Sequence, residues 1–150
     1  MVAYLFFASG INNFAKLPVL KENIYDVSSF SNVELNKKIS ILFFIGNNVD
    51  KRQGDALNLN QKIYKRFYEF DDFQFVVLCP IGTEELVAQL RNKLEFGTNT
   101  DMKKWNFIFS DSTQISKTFK SLKSDMNLDK YYGSNYVYIV DKERSQRGRN

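Results

Sequence analysis

Apolar residues in this chain fall into short, nearly continuous runs, separated by stretches in which they recur every three or four positions. Ile39-Ser-Ile-Leu-Phe-Phe-Ile45 is apolar or β-favouring almost throughout and stops at Gly46-Asn47-Asn48, the pattern of a strand covered on both faces. A polar loop is predicted from there through Gly54. Beyond it Leu59, Ile63, Phe67 and Phe70 recur at helical spacing, so an amphipathic helix is expected over 56–70. Phe73 to Leu78 reads as the next strand, and Thr83-Glu84-Glu85 opens a helix whose Leu86, Leu90 and Leu94 share a face and which Gly97 ends. The alternation then repeats. Trp105 to Phe109 is a strand, Ser110-Asp111 offers an N-cap, and Ile115, Phe119 and Leu122 mark the buried face of the following helix. Tyr136 to Val140 is the last long strand, and the polar run Asp141 to Arg144 after it predicts a turn into a hairpin partner. Strands and helices alternating at these lengths make βαβ units, so the fold class is α/β: a central mixed sheet of about four to five strands flanked by helices.

Composition narrows the picture. A chain of 150 residues, 43% hydrophobic and 25% charged, is sized for one domain with one main core, and its fourteen Phe and eight Tyr supply much of the burial. The 21 basic and 17 acidic residues leave +4, spread along the chain and not gathered into the aromatic-studded basic stripe that nucleic acid needs, so no nucleic-acid partner is expected. The first nine residues are apolar, but they fall well short of the roughly 20 that span a bilayer, and no basic leader precedes them. Residues 1–16 therefore read either as a core or edge β-segment in an N-terminal extension, or as the remnant of a membrane anchor; residues 17–150 form the folded domain.

Cysteine and histidine decide the chemistry. The chain has one Cys, Cys79, and no His. An internal disulfide and a dithiol centre are excluded, and soft copper, which is held by thiolate, thioether or imidazole, lacks its usual ligands. Met1, Met102 and Met126 lie far apart and read as core or loop residues.

Four phrases in their order resemble the thioredoxin-like Sco/SenC family, membrane-anchored copper chaperones that help assemble respiratory oxidases, together with its redoxin relatives. Ile41-Leu-Phe-Phe-Ile-Gly46 is similar to the strand leading into that family's active-site loop, and Val76 to Leu86 to its next strand, proline turn and helix. Trp105-Asn-Phe-Ile-Phe-Ser110 is similar to its Trp-containing strand, and Tyr136 to Asp141 with Arg147-Gly148-Arg149 to its closing hairpin. The resemblance spans about residues 17 to 149. It implies a thioredoxin-like fold, with a Cys-x-x-x-Cys pair after the first central strand and a His before the last strand pair. This chain carries Gly46-Asn47-Asn48-Val49-Asp50-Lys51-Arg52-Gln53-Gly54 at the first place and Tyr131-Tyr132-Gly133-Ser134-Asn135 at the second. It also lacks the thioredoxin-type cis-proline there, since its prolines are Pro18 and Pro80. The family's C-terminal helix is missing too, so the N-terminal segment, or chain beyond residue 150, is expected to cover that face of the sheet.

Individual residues are weighed on this frame. Cys79, near the end of a buried strand, reads as a small core hydrophobe rather than a reactive thiol. Asn47, Asn48, Asp50, Lys51 and Arg52 stand where the family does its chemistry and are the candidate functional loop, the alternative being an ordinary solvated loop. Asp50 and Asp55 are too few for a hard-metal cage. Lys142, Arg144, Arg147 and Arg149 give a basic C-terminus, read as a solvated hairpin end in preference to a surface for phosphate, lipid or an acidic partner. No catalytic residue, metal ligand, cofactor or small-molecule substrate is identified. The expectation is a non-catalytic domain, membrane-anchored and extracytoplasmic, acting on an unknown protein partner in or near the membrane. The alternative is a metal-handling or thiol-redox protein using Cys79 with a partner's thiol.

Overall fold

Six strands make one sheet. The computed structural model of the chain describes residues 17–98, 101–124 and 127–147. In chain order the elements are β1 (Val19–Lys21), a single 3-10 turn (Val27–Ser29), β2 (Ile39–Ile45), α1 (Val49–Leu59) and a π-helical stretch (Asn60–Tyr64) running on into α2 (Lys65–Phe67). They continue with β3 (Phe73–Pro80), α3 (Glu84–Thr98), β4 (Trp105–Ser110), α4 (Ser112–Lys120), β5 (Gly133–Val140) and β6 (Gln146–Arg147). The sheet order is β1-β6-β5-β2-β3-β4. β2, β3 and β4 are parallel, whereas β5, β6 and β1 run antiparallel to their neighbours, so the sheet is mixed. It has six strands where four to five were expected: β6 is the hairpin partner predicted after Val140, and the strand not foreseen is the three-residue edge piece β1.

The central strands are apolar on both sides because both faces are covered. Phe43, Phe75, Val77, Cys79 and Ile139 point into a core beneath α1, the π-helical stretch and α3. Leu42, Phe44, Val76, Leu78 and Tyr138 point into a second core closed by α4 and by Ile24, Val27 and Leu35. The first core is dense in rings: Tyr64, Phe73, Phe75 and Trp105 sit with centroids 4.5–6.4 Å apart in edge-on and tilted pairs, the arrangement favoured by the ring quadrupoles. Its buried polar groups are satisfied. Trp105 Nε1 donates to Asn60 Oδ1 at 3.1 Å, Asn60 Nδ2 donates to the Leu94 carbonyl at 3.0 Å, and the Tyr64 hydroxyl accepts from the Lys104 amide at 3.1 Å. The π-helical turn puts Asn60, Ile63 and Tyr64 together on the inward side, tying α1, α3 and β4 to each other.

Several expected boundaries move. Helix α1 begins at Val49, so Asp50, Lys51 and Arg52 stand on its first turn and not in a loop. Its inward face is Val49, Arg52, Ala56 and Leu59, a helical repeat masked in the sequence because a guanidinium occupies one of the inward positions. The helical run ends at Phe67, leaving Phe70 half exposed. In α3 the buried face is Val87, Leu90 and Leu94, not Leu86, and Gly97 lies inside the helix. Asp111 caps α4 as read, its side chain accepting from the Gln114 amide at 2.8 Å. The readings of residues 1–16, Met126 and Arg149 lie outside the described residues.

Candidate functional site

The carboxyl end of β2 meets the segment leading into β5. Strand pairing brings Ile45 opposite Gly133, and the Asn47 amide donates to the Tyr131 carbonyl at 2.7 Å. Gly46, at φ +77°, is the residue that permits this approach: a Cβ there would lie 2.9 Å from the Gly133 Cα and N and from the Tyr131 carbonyl oxygen. Two segments about 85 residues apart in sequence are thus laid backbone on backbone at the place where α1 starts.

Arg52 closes this junction from below. It is only 3% exposed, and its Nη2 donates to Asp129 Oδ2 at 2.7 Å, while Nη1 lies 3.8 Å from Asp55. Asp129 is bound on every side. Its Oδ1 accepts from the Tyr131 amide at 2.8 Å and the Gly133 amide at 3.0 Å, and Lys51 Nζ lies 3.9 Å from Oδ2. The Asp129 amide in turn donates to the Gly133 carbonyl at 2.9 Å. Burial by itself would raise the Asp129 carboxyl; the bonds from Gly133, Tyr131 and Arg52 outweigh it and hold the group below the ordinary carboxylate range. Gly133 packs closely here as well: a Cβ would stand 3.1 Å from Arg52 Nε and from the Ile45 carbonyl oxygen, so these neighbours would have to give by a few tenths of an ångström. The result is a clasp of Gly46, Arg52, Asp129 and Gly133 joining β2, α1 and β5.

Of the five residues picked out in sequence, the structure brings Lys51 and Arg52 to the clasp and leaves Asn47, Asn48 and Asp50 exposed around the helix start. Asn48 occupies the N-cap position without a side-chain capping bond. Asp129 was not found from sequence. The one available signal was Arg52 itself, since a guanidinium on the inward face of a helix requires a buried anion.

The chemistry open to this arrangement is limited. Asp129 accepts from Arg52 on one oxygen and from two backbone amides on the other, so its charge is matched and its oxygens are engaged. Cys79 is fully buried, its Sγ 3.6 Å from the Val77 carbonyl oxygen, and burial together with the charge of Glu84 pushes the thiol far up, so it stays protonated at neutral pH. The copper implied by the Sco/SenC resemblance does not fit these residues: the donors are amide and carboxylate oxygens, not thiolate or imidazole, and the carboxylate is already paired with a guanidinium. Among the described residues no three His, Cys, Asp or Glu converge. Met102 lies in the core, 3% exposed.

The basic hairpin end is paired too. Lys142 Nζ lies 2.6 Å from Asp72, Arg144 Nη1 lies 3.1 Å from Asp26, and Arg147 Nε lies 2.7 Å from Asp141, which also accepts from the Glu143 and Ser145 amides. Apolar groups are exposed elsewhere: Ile81, 64% exposed in the turn after β3, and Tyr131, with Lys130 Nζ 5.1 Å from its ring centroid, stand at the same end of the sheet as the clasp.

No protein-family model and no curated protein matches the sequence. Solved structures do match the fold. BsSco, a member of the Sco family of cytochrome c oxidase assembly proteins, superposes with a TM-score of 0.55 at 15% identity over 88% of this chain and 85% of its own. A thiol:disulfide interchange protein of the thioredoxin family from Chlorobium tepidum TLS gives 0.51 at 11% identity, over 81% of this chain and 71% of its own. No helix among the described residues is long and apolar enough to cross a membrane. At these identities the likeness is one of architecture, and it fixes the fold: the chain is a thioredoxin-like α/β domain.

Proposed function

We propose that the chain is a non-catalytic Sco/redoxin-like domain, tethered to a membrane in the cell envelope, that works by contacting another protein. The observation that carries this reading is the clasp. Where the Sco/SenC resemblance puts thiols and an imidazole, this chain has a buried Arg52 paired with the partly exposed Asp129, whose hydrogen bonds are made. Such a pair fixes geometry without offering a reactive group. Ile81 and Tyr131, exposed at the same end, are the surface through which contact is made.

The test isolates the full-length protein from its native membranes and identifies what remains bound after gentle solubilisation. A stable partner held by the wild type and lost from Ile81→Asp with Tyr131→Asp is expected, while Cys79→Ala retains it. Absence of the protein from membranes, or of any stable partner, overturns the reading. Rapid modification of Cys79 by a thiol reagent in the folded state would instead favour the thiol-based alternative; burial of the sulfur predicts slow modification that follows unfolding.

A further inference from the structure

Asp129 also borders a groove that runs along α4. It has two lobes of about 400 and 350 Å3, joined through Ser116 and Lys120, which line both. The lobe nearer β5 is walled by Phe119, Leu122, Leu128 and Tyr132. Leu128 and Tyr132 pack on the second core yet remain partly exposed, so this lobe presents apolar and aromatic surface to solvent. The other lobe is lined by Ser112, Thr113 and Lys117.

Two basic side chains, Lys117 and Lys120, line this groove. Arg52, Lys142, Arg144 and Arg147 each have a carboxylate assigned to them. Lys117 and Lys120 are exposed and, among the described residues, have no ion-pair partner. Among the described residues two carboxylates lie close by. Asp129 on the groove wall is already neutralised by Arg52 and Lys51, and Asp111 at the head of α4 is engaged in capping. The field left over in the groove is positive. α4 has nine residues, so the groove runs about 13 Å, the reach of four or so extended residues.

We propose that this groove docks an acidic peptide segment of the partner protein. A bulky apolar side chain enters the lobe of Phe119, Leu122, Leu128 and Tyr132, and flanking carboxylates meet Lys117 and Lys120, with hydroxyls of Ser112, Thr113 and Ser116 able to bond the peptide backbone. Both lobes are open along their length, which suits a chain passing through better than a small molecule enclosed on all sides. This proposal rests on the reading of the domain as one that acts through protein contacts.

The experiment titrates the whole chain with an acetylated, fluorescently labelled octapeptide carrying one Leu flanked by Asp and Glu, and follows anisotropy together with backbone amide NMR shifts. Shifts confined to 112–124 and 127–132 are expected. Reversing both lysines (Lys117→Glu with Lys120→Glu), which touches no packed group, should weaken binding at least about tenfold, the effect of losing and inverting two exposed ion pairs. Replacing the peptide's Leu by Gly, or its acids by Lys, should weaken it likewise. Ile81→Asp leaves peptide binding unchanged, so failure here is distinct from failure of the membrane experiment. Absence of binding, shifts elsewhere, or equal affinity of the reversed variant overturns the proposal. Selective binding of the basic peptide does the same.

Discussion

Asp129 stands between two regions that treat charge in opposite ways. On the clasp side every charge is engaged: Arg52 is buried against the carboxylate, two backbone amides take the second oxygen, and Lys51 borders the pair. On the groove side, a few residues away, Lys117 and Lys120 extend into solvent beside partly exposed Leu128 and Tyr132. The first region is built so that nothing enters; the second has apolar surface and uncompensated charge together. A basic residue in this chain therefore carries meaning only once its carboxylate has been looked for. By that criterion the arginines of the closing hairpin, paired to Asp26 and Asp141, belong with the clasp.

The comparison breaks hardest at Gly46. An alanine there would place its Cβ 2.9 Å from three backbone atoms of the facing segment, in a backbone conformation that L-residues avoid. None of those atoms is the tip of a flexible side chain, so strand and loop must separate. Gly46→Ala is expected to lose on the order of 4 kcal/mol, read as a fall in the urea midpoint. Gly54→Ala, in the same helix region but with open space around its Cβ, should be neutral or slightly stabilising.

Next comes the ion pair. Arg52→Met keeps most of the stem but leaves Asp129 with an unmatched charge, and about 3 kcal/mol is the expected cost, as for a mostly buried pair broken from one side. Adding Asp129→Asn removes the orphaned charge and should return part of that loss, which a double-mutant cycle measures directly. If the single and double variants are equally unstable, the clasp is held by the glycine contacts and the backbone bonds, not by charge.

Acid sharpens the same point. The folded-state pKa of Asp129 is depressed, so the stability it contributes is present above the unfolded-state value of about 4 and is lost as the pH falls through the folded pKa. Asp26, where bonds from Ser28 and Arg144 outweigh its burial, acts in the same direction. Wild type should therefore lose stability steeply below about pH 4. Asp129→Asn, weaker at neutral pH, should fall less steeply, so the gap between the two narrows as the medium becomes acid. A gap that stays constant down to pH 2 would mean that Asp129 titrates normally.

How much of this was legible follows from what each feature requires. The central strands, α4 with its Asp111 cap and the closing hairpin were readable because apolar period and capping chemistry are local. The start of α1 was not, because Arg52 occupies an inward position where periodicity expects an apolar side chain. The clasp was half visible: Lys51 and Arg52 stood out, but Asp129, 77 residues on, is joined to Arg52 only by the fold. Cys79 was read as core from its strand alone, and burial pushes its thiol up. The groove was not legible, since Phe119 and Leu122 read only as the buried face of α4 and meet Leu128 and Tyr132 of a later loop only in the fold.

The smallest expected effect is also the one that separates the two regions most cleanly. Lys117 and Lys120 make no ion pair among the described residues, and both side chains are exposed, so reversing them removes no packed atom and strands no buried group. The change in unfolding free energy should stay within about 0.5 kcal/mol, the range of surface substitutions away from caps and cores. These lysines sit in the last turn of α4, where positive charge complements the helix dipole, so the sign should be a slight loss. A loss of 2 kcal/mol or more would place the two lysines in the structural class of Arg52, and the groove would then be part of the scaffold. A variant that remains as stable as the wild type while losing the acidic peptide would separate charge that holds the fold from charge that meets a partner.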